Sequence, residues 1–389
     1  TPFGMLIEHL IDLGEAEAAN ELSVGDLDSF YRQARTKFDA SDEFKERARA
    51  RVVLLQGGDD ETLRMWKLLV GESTRYFDRV YRVLDVLLTP EDIMGESAYN
   101  HLLAEVVERL KKSGMLQTSD GAEVVFVDGF VNRDNEPLPL IIRKTDGGYN
   151  YATSDLACVI DRVERLGATR ILYVVGAPQA QHLEMVGVVS RKAGWVPETT
   201  QMVHVAFGNV LGNDRKILKS RSGEVVKLDA LLTEAVERAG TSVREKNAEL
   251  SAEQQSEIAR QVGIGAIKYA DLSTDRIKDY VFDWERMLSF DGNTSPYLQY
   301  AHARICSIFR KAQIERQSVR SVTPTLEHDA ERVLVLRLLQ FDTAVWDTLD
   351  KYSPHRLCTY LYDLASEFSS FYEHCPVLRA ESEAQKMSR

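Results

Sequence analysis

Apolar residues recur at three- and four-residue spacing from Met5 to about Leu88, through "DLDSFYRQARTKF" and "ETLRMWKLLVGESTRYFDRVYRVLDVLL". That period predicts amphipathic helices, with "QGGDD" separating two of them and Asp59 or Asp60 as an N-cap. Between about Tyr99 and Leu228 the texture changes. Short β-branched runs ("EVVFVDGF", "LPLIIRK", "RILYVVG", "QMVHVAFG") alternate with helical stretches ("SDLACVIDRVERLG", "QAQHLEMVGVVSRKAGW"). Such alternation predicts parallel strands in a doubly wound α/β sheet, whose ligands sit at the carboxyl ends of the strands. After Leu228 a helical stripe returns and continues to the end, and Asn293, Thr294, Ser295 and Pro296 read as a cap followed by proline, a helix start.

Composition narrows the picture only a little. The 389 residues are 44% hydrophobic and carry a formal net charge of -12, enough apolar material for two or three domains and the wrong sign for generic polyanion binding. Any nucleic-acid contact is therefore expected to be local. No apolar run is long enough to span a bilayer, and the opening "TPFGMLIEHL" lacks the features of a signal peptide, so a cytoplasmic protein is expected. Cys158, Cys306, Cys358 and Cys375 are far apart with no C-x-x-C pair, so they read as buried thiols, with neither a zinc site nor a disulfide framework.

Three strand ends carry candidate chemistry. In "GNDRKILKSRSGE", Lys216 and Lys219 stand three apart and Ser220 follows, directly after a predicted strand. Ammonium groups on a glycine-flanked loop suit a triphosphate whose leaving oxygens gain charge during reaction, although a solvated surface turn has the same composition. The order of residues is not that of a P-loop. In "GGYNYATSDLACVI", Tyr151 and Asp155 are four apart where a strand leads into a helix. Ser154 or Asp155 reads as the cap of that helix; alternatively, phenol and carboxylate line a pocket for a cation, ideally a guanidinium held by two parallel hydrogen bonds. In "YVVGAPQAQHLEM", Gln179 offers a neutral amide at a strand end, while His182 reads as a structural histidine at a helix start.

Taken together, these stretches and "IKYADLSTDRIKDYVFDWERMLSFDGNTSPYLQYAHARICSIFRKA" resemble the arginyl-tRNA synthetases, most nearly the bacterial type, over nearly the whole chain. The resemblance implies an α/β fold: a class I Rossmann-type parallel sheet, incomplete here, with a helical insertion before it and a C-terminal α-helical bundle. It implies ATP-dependent activation of L-arginine to arginyl-AMP, followed by transfer to the 3′ end of tRNA(Arg). ATP, accompanied by Mg2+, is then a substrate, and no structural metal is expected. Lys216-Ile217-Leu218-Lys219-Ser220 aligns with the family's KMSKS signature, the middle Met-Ser being replaced. Lys219 would meet the α- or β-phosphate and Lys216 the departing pyrophosphate. Tyr151, Asp155 and Gln179 match the arginine pocket, and Tyr297, Tyr300, Arg304 and Arg310 are candidate tRNA contacts, with helix packing an at least equal alternative for each tyrosine.

The domains expected on this basis are 1–98, helical; 99–230, the second half of the catalytic domain; 231–294, a helical junction; and 295–389, an anticodon-binding bundle. The family's H-x-G-H signature does not occur in the sequence, and the chain starts at Thr1 inside an amphipathic stretch. The expectation is accordingly an internal fragment, monomeric, free of membrane, and without arginine activation of its own.

Overall fold

The computed structural model describes residues 2–14, 27–218, 226–246 and 248–389. Packing divides the chain into two compact units, Thr1–His204 and Val205–Arg389.

Among the described residues the first unit opens with α1 (Pro2–Leu13), α2 (Leu27–Ala40), α3 (Asp42–Gly57) and α4 (Asp60–Val83). Asp59 caps α4 by accepting from the Thr62 backbone N–H at 3.0 Å, as the sequence indicates. The apolar stripes meet in a cluster of Ile7, Leu10, Phe30, Met65 and Leu69. Where α1 crosses α3, a Cβ on Gly4 would lie 2.0 Å from the Ala48 carbonyl oxygen, so only glycine permits the crossing. Glu8, buried on α1, is paired with Arg47 at 2.7 Å and Arg51 at 2.5 Å, which offsets the cost of burying its charge.

Two 3₁₀ turns lead to α5 (Leu103–Lys112), followed by β1 (Gln117–Ser119), β2 (Ala122–Val131) and β3 (Pro137–Arg143). These three strands form an antiparallel meander, β1-β2-β3, where the sequence pattern suggested parallel pairing. The reason is the length of the link: Asn132–Glu136 closes a tight turn with Asn135 at φ 63, and a parallel return needs a crossover of a dozen or more residues. Next come α6 (Tyr151–Glu164), β4 (Arg170–Tyr173), α7 (Ala180–Lys192) and β5 (Gln201–His204). Here the expected βαβ pattern holds, and β4 pairs with β5 in parallel, Arg170 opposite Gln201. Val106 and Leu110 of α5, Val125 and Val127 of β2, Ile142 of β3, Leu156 and Val159 of α6, and Val186 and Val189 of α7 share one buried core. The first unit thus holds an open three-stranded antiparallel sheet and a two-stranded parallel one, flanked by helices in an incomplete Rossmann-type α/β architecture, and a largely helical unit follows in the chain.

In the second unit β6 (Val210–Leu211) pairs in parallel with β7 (Tyr280–Val281) across the helices α8 (Leu228–Lys246) and α9 (Ala252–Ser273). These helices pack closely; a Cβ on Gly263 would come within 2.7 Å of the Ala235 backbone. After the short α10 (Trp284–Met287), the bundle is built from α11 (Ser295–Ala312), α12 (Asp329–Leu339), α13 (Phe341–Lys351), α14 (Pro354–His374) and α15 (Glu383–Ser388). Thr294 caps α11 with Pro296 in its first turn. Ala301, Ala365, Phe368, Phe371, Cys375 and Val377 form the bundle's buried cluster. Of the four thiols, all unpaired, Cys358 and Cys375 are buried while Cys158 and Cys306 are half-buried, so the expectation of four buried cysteines holds for two.

Candidate functional site

The segment before α6 is pinned to the sheet. The Asn150 N–H bonds the Ile142 carbonyl at 3.0 Å, and the buried Thr153 hydroxyl donates to the same oxygen at 2.5 Å. Gln56 clasps the Tyr149 backbone, accepting from its N–H at 3.1 Å. Asn150, not Ser154 or Asp155, caps the helix; its side chain accepts from the Tyr151 N–H at 2.9 Å. Asp155 therefore lies one turn inside α6, and its carboxylate is released from the capping role that the sequence pattern offered it.

That carboxylate meets His182 of α7, with Asp155 Oδ2 2.6 Å from His182 Nε2. The Tyr151 ring lies 4.7 Å from the imidazole, tilted by 60°. Tyr151 is 60% exposed, whereas the Asp155 and His182 side chains are 34% and 16% exposed. The structure thus brings Tyr151, Asp155 and His182 into one corner. His182 is the member that sequence reading set aside as structural; nothing in a 27-residue separation marks it as a partner of Asp155. Gln179 ends an exposed 3₁₀ turn after β4, its N–H bonded to the Gly176 carbonyl, and directly precedes α7.

Burial pushes the neighbouring Tyr173 phenol up to about 12, against the pull of the Arg162 guanidinium, and raises the Cys158 thiol as well. Both stay neutral near pH 7, so neither adds a negative charge that would compete with Asp155. The edge beyond β4 is closed by His204 Nε2, 3.0 Å from the Val175 carbonyl oxygen.

In the second unit the basic stretch begins as a turn off β6. Gly212 N–H bonds the Lys216 carbonyl at 2.8 Å, Leu218 N–H bonds the Val210 carbonyl at 3.0 Å, and Arg215 sits at φ 59. Asp214 braces the turn by accepting from the Lys216 backbone N–H at 3.1 Å. Lys216 is exposed on it. Lys219 and Ser220 lie outside the described residues. Asp279 anchors the strand leading in, accepting from the Asn209 N–H at 2.6 Å, and Arg276 donates to the Ala206 carbonyl at 2.6 Å. Both anchors come from the segment before β7, part of the stretch that carries the family resemblance, although neither residue is given a role there.

Along α11, Tyr300 is half exposed and carries the Arg304 guanidinium 4.7 Å from its ring centroid, while Arg310 is exposed. Tyr297 differs. It is half-buried in the bundle, with its hydroxyl 3.4 Å from Ser369 Oγ and its ring 5.7 Å from Tyr362, which fits packing better than stacking on a base. Among the described residues no group of three or more His, Cys, Asp and Glu is placed to hold a metal ion, and no helix is long and apolar enough to cross a membrane.

Comparison with known proteins gives this architecture its class. A solved Thermus thermophilus arginyl-tRNA synthetase shares the fold, with a TM-score of 0.74 at 22% identity over 99% of this chain and 69% of that one. The arginyl-tRNA synthetase of Plasmodium falciparum superposes with a TM-score of 0.81 at 29% identity, covering 100% of this chain and 63% of that one. The family description "tRNA synthetases class I (R), catalytic domain" matches residues 1–284, and "DALR anticodon binding domain" matches 298–389. An arginine–tRNA ligase of Thermobifida fusca is 53% identical over 389 residues, all of this chain and 67% of that protein; one from Yersinia pseudotuberculosis is 48% identical over the same span. The chain belongs to the class I arginyl-tRNA synthetase family. It spans about two thirds of the length of the curated relatives it matches.

Proposed function

We propose that the chain carries the arginine-reading, phosphate-handling and tRNA-reading parts of an arginine–tRNA ligase. In that reaction the carboxylate of L-arginine attacks the α-phosphorus of ATP, pyrophosphate leaves, and arginyl-AMP passes its arginyl group to the 3′-terminal ribose of tRNA(Arg).

The observation that supports the amino-acid half is the Asp155 carboxylate, freed from capping and held beside two neutral groups. A guanidinium presents a planar fork of donors that a carboxylate accepts through two parallel bonds; a lysine ammonium, a point charge, cannot satisfy that geometry. Tyr151 lines the same corner, and Gln179 supplies an amide for the substrate's polar groups. Lys216, Lys219 and Ser220 act on ATP, neutralising charge that grows on the phosphates as pyrophosphate departs. Mg2+ enters bound to those phosphates, as it commonly does with nucleotide substrates. Tyr300, Arg304 and Arg310 form the tRNA-facing stripe of α11, with Tyr297 behind it. The four-part division at residues 98, 230 and 294, a monomeric state and a cytoplasmic setting belong to the same reading.

The test, made on the complete enzyme that restores the H-x-G-H signature, is pyrophosphate exchange into ATP and charging of tRNA(Arg), driven by L-arginine and not by L-lysine. Asp155→Ala should raise the arginine requirement several hundredfold, the scale of truncating one partner of a hydrogen-bonded charge pair, with little change in the ATP requirement. Equal effects on both substrates would make Asp155 a structural residue. Binding of tRNA without selectivity for arginine would point instead to a synthetase-like RNA-binding protein.

A further inference from the structure

His182 has no part in the reading above, yet it grips the carboxylate on which that reading depends. A carboxylate only accepts hydrogen bonds, so at 2.6 Å the His182 Nε2 must carry the hydrogen. His182 is the third residue of α7, in its first turn.

The geometry of reading a guanidinium requires more than charge. The terminal torsion of an aspartate is broad, so an unrestrained carboxylate presents its plane in many directions. One bond from His182 to Oδ2 fixes that plane, leaving Oδ1 and the remaining acceptor capacity of Oδ2 for the fork of donors. The imidazole is itself steadied by the Tyr151 ring at 4.7 Å. Holding α6 against α7 does not require this polar contact, because Leu156 and Val159 already share a buried core with Val186 and Val189.

We propose that His182 is a positioning residue for amino-acid selection: it orients Asp155 so that the carboxylate accepts a planar guanidinium, and so contributes to preferring arginine over lysine. The inference rests on Asp155 being the arginine carboxylate. Preorganisation of this kind acts on the ligand whose binding needs a fixed plane and leaves a point charge indifferent.

Calorimetric titration of the 389-residue chain with L-arginine and, separately, with L-lysine tests it. His182→Ala should lose roughly tenfold in L-arginine affinity, the scale of one hydrogen bond to a charged group, and leave L-lysine affinity where it was. His182→Phe preserves the ring packing against Tyr151 without the donor and should match His182→Ala, which separates positioning from loss of fold. His182→Gln restores an N–H donor at similar reach and should recover arginine affinity to within about threefold. Added to Asp155→Ala, the His182→Ala change should cost nothing more. Equal losses for both amino acids, wild-type affinity in His182→Phe, or full additivity with Asp155→Ala would overturn the proposal. If Asp155→Ala weakens arginine binding and His182→Ala does not, this inference alone falls. If Asp155→Ala leaves arginine binding unchanged, or the unsubstituted chain does not bind arginine, the pocket reading falls and takes the inference with it.

Discussion

The guanidinium corner of the first unit and the lysine turn of the second are held by different kinds of contact. In the corner, apart from the local Asn150 cap, the polar groups are set by other elements: Asp155 by His182 of α7, Thr153 by Ile142 on β3, and the Tyr149 backbone by Gln56 on α3. In the turn the bracing at Lys216 is local, from Asp214 two residues before it, with backbone bonds spanning Gly212 to Lys216. On the proposed roles, the group that reads the shape of a ligand is built into packed helices, whereas the group that supplies charge to phosphates rests on a short turn. Shape recognition suffers from any slack in its support; a flexible ammonium tolerates it.

The contrast can be broken from either side. On the phosphate side, in the complete enzyme, the largest effect is expected from Lys219→Ala, which should slow arginine activation on the order of a hundredfold while arginine affinity is unchanged, since the lost contact acts in the transition state. Pre-steady-state measurement of adenylate formation reads this, and an unchanged rate would remove Lys219 from the mechanism. Thr153→Val keeps the volume and strips the buried hydroxyl that ties α6 to β3. A loss of about 1–2 kcal/mol in unfolding free energy is expected, together with weaker arginine binding; a stability loss with arginine affinity intact would show that the corner does not depend on this pin. Asn150→Ala removes the cap of α6 and should cost about 1 kcal/mol, again with arginine binding affected and ATP binding untouched.

On the other side of the comparison, Asp214→Ala should lower activation by less than about threefold, because a single exposed side-chain bond in a turn contributes roughly 0.5 kcal/mol. A tenfold loss would mean the turn is as finely built as the corner. The smallest expected effect is none at all. Burial raises both Cys158 and Tyr173, so the corner gains no second negative charge as pH rises, and arginine affinity should stay level between about pH 7.5 and 8.5. Strengthening binding across that interval, abolished in Cys158→Ala, would identify a thiolate beside Asp155.

Much of this was legible from residue spacing. Ala152, Leu156, Val159 and Ile160 mark the buried face of α6, Asp59 marks the start of α4, and the Thr294-Ser295-Pro296 run marks the start of α11. Two misreadings had usable signals. The few residues between β2 and β3 are too short for a crossover, which should have indicated an antiparallel pair, and Asn150 stands directly before the helix that Ser154 or Asp155 was expected to cap. The Asp155–His182 contact had none, since it joins two helices across an intervening strand and exists only once α6 and α7 pack together. For Tyr297 the sequence leaves helix packing and a nucleic-acid contact level, and the half-buried ring 5.7 Å from Tyr362 is what favours packing. The roles of Lys219 and Ser220 rest on the family signature, as both lie outside the described residues.

The most direct measurement is a crystal structure of the chain with L-arginine bound. The guanidinium should donate to Asp155: two of its N–H groups should lie within hydrogen-bond distance of the Asp155 oxygens, with His182 still donating to Oδ2. Arginine bound with its guanidinium away from α6, or an Asp155 carboxylate engaged by His182 alone, would contradict the account.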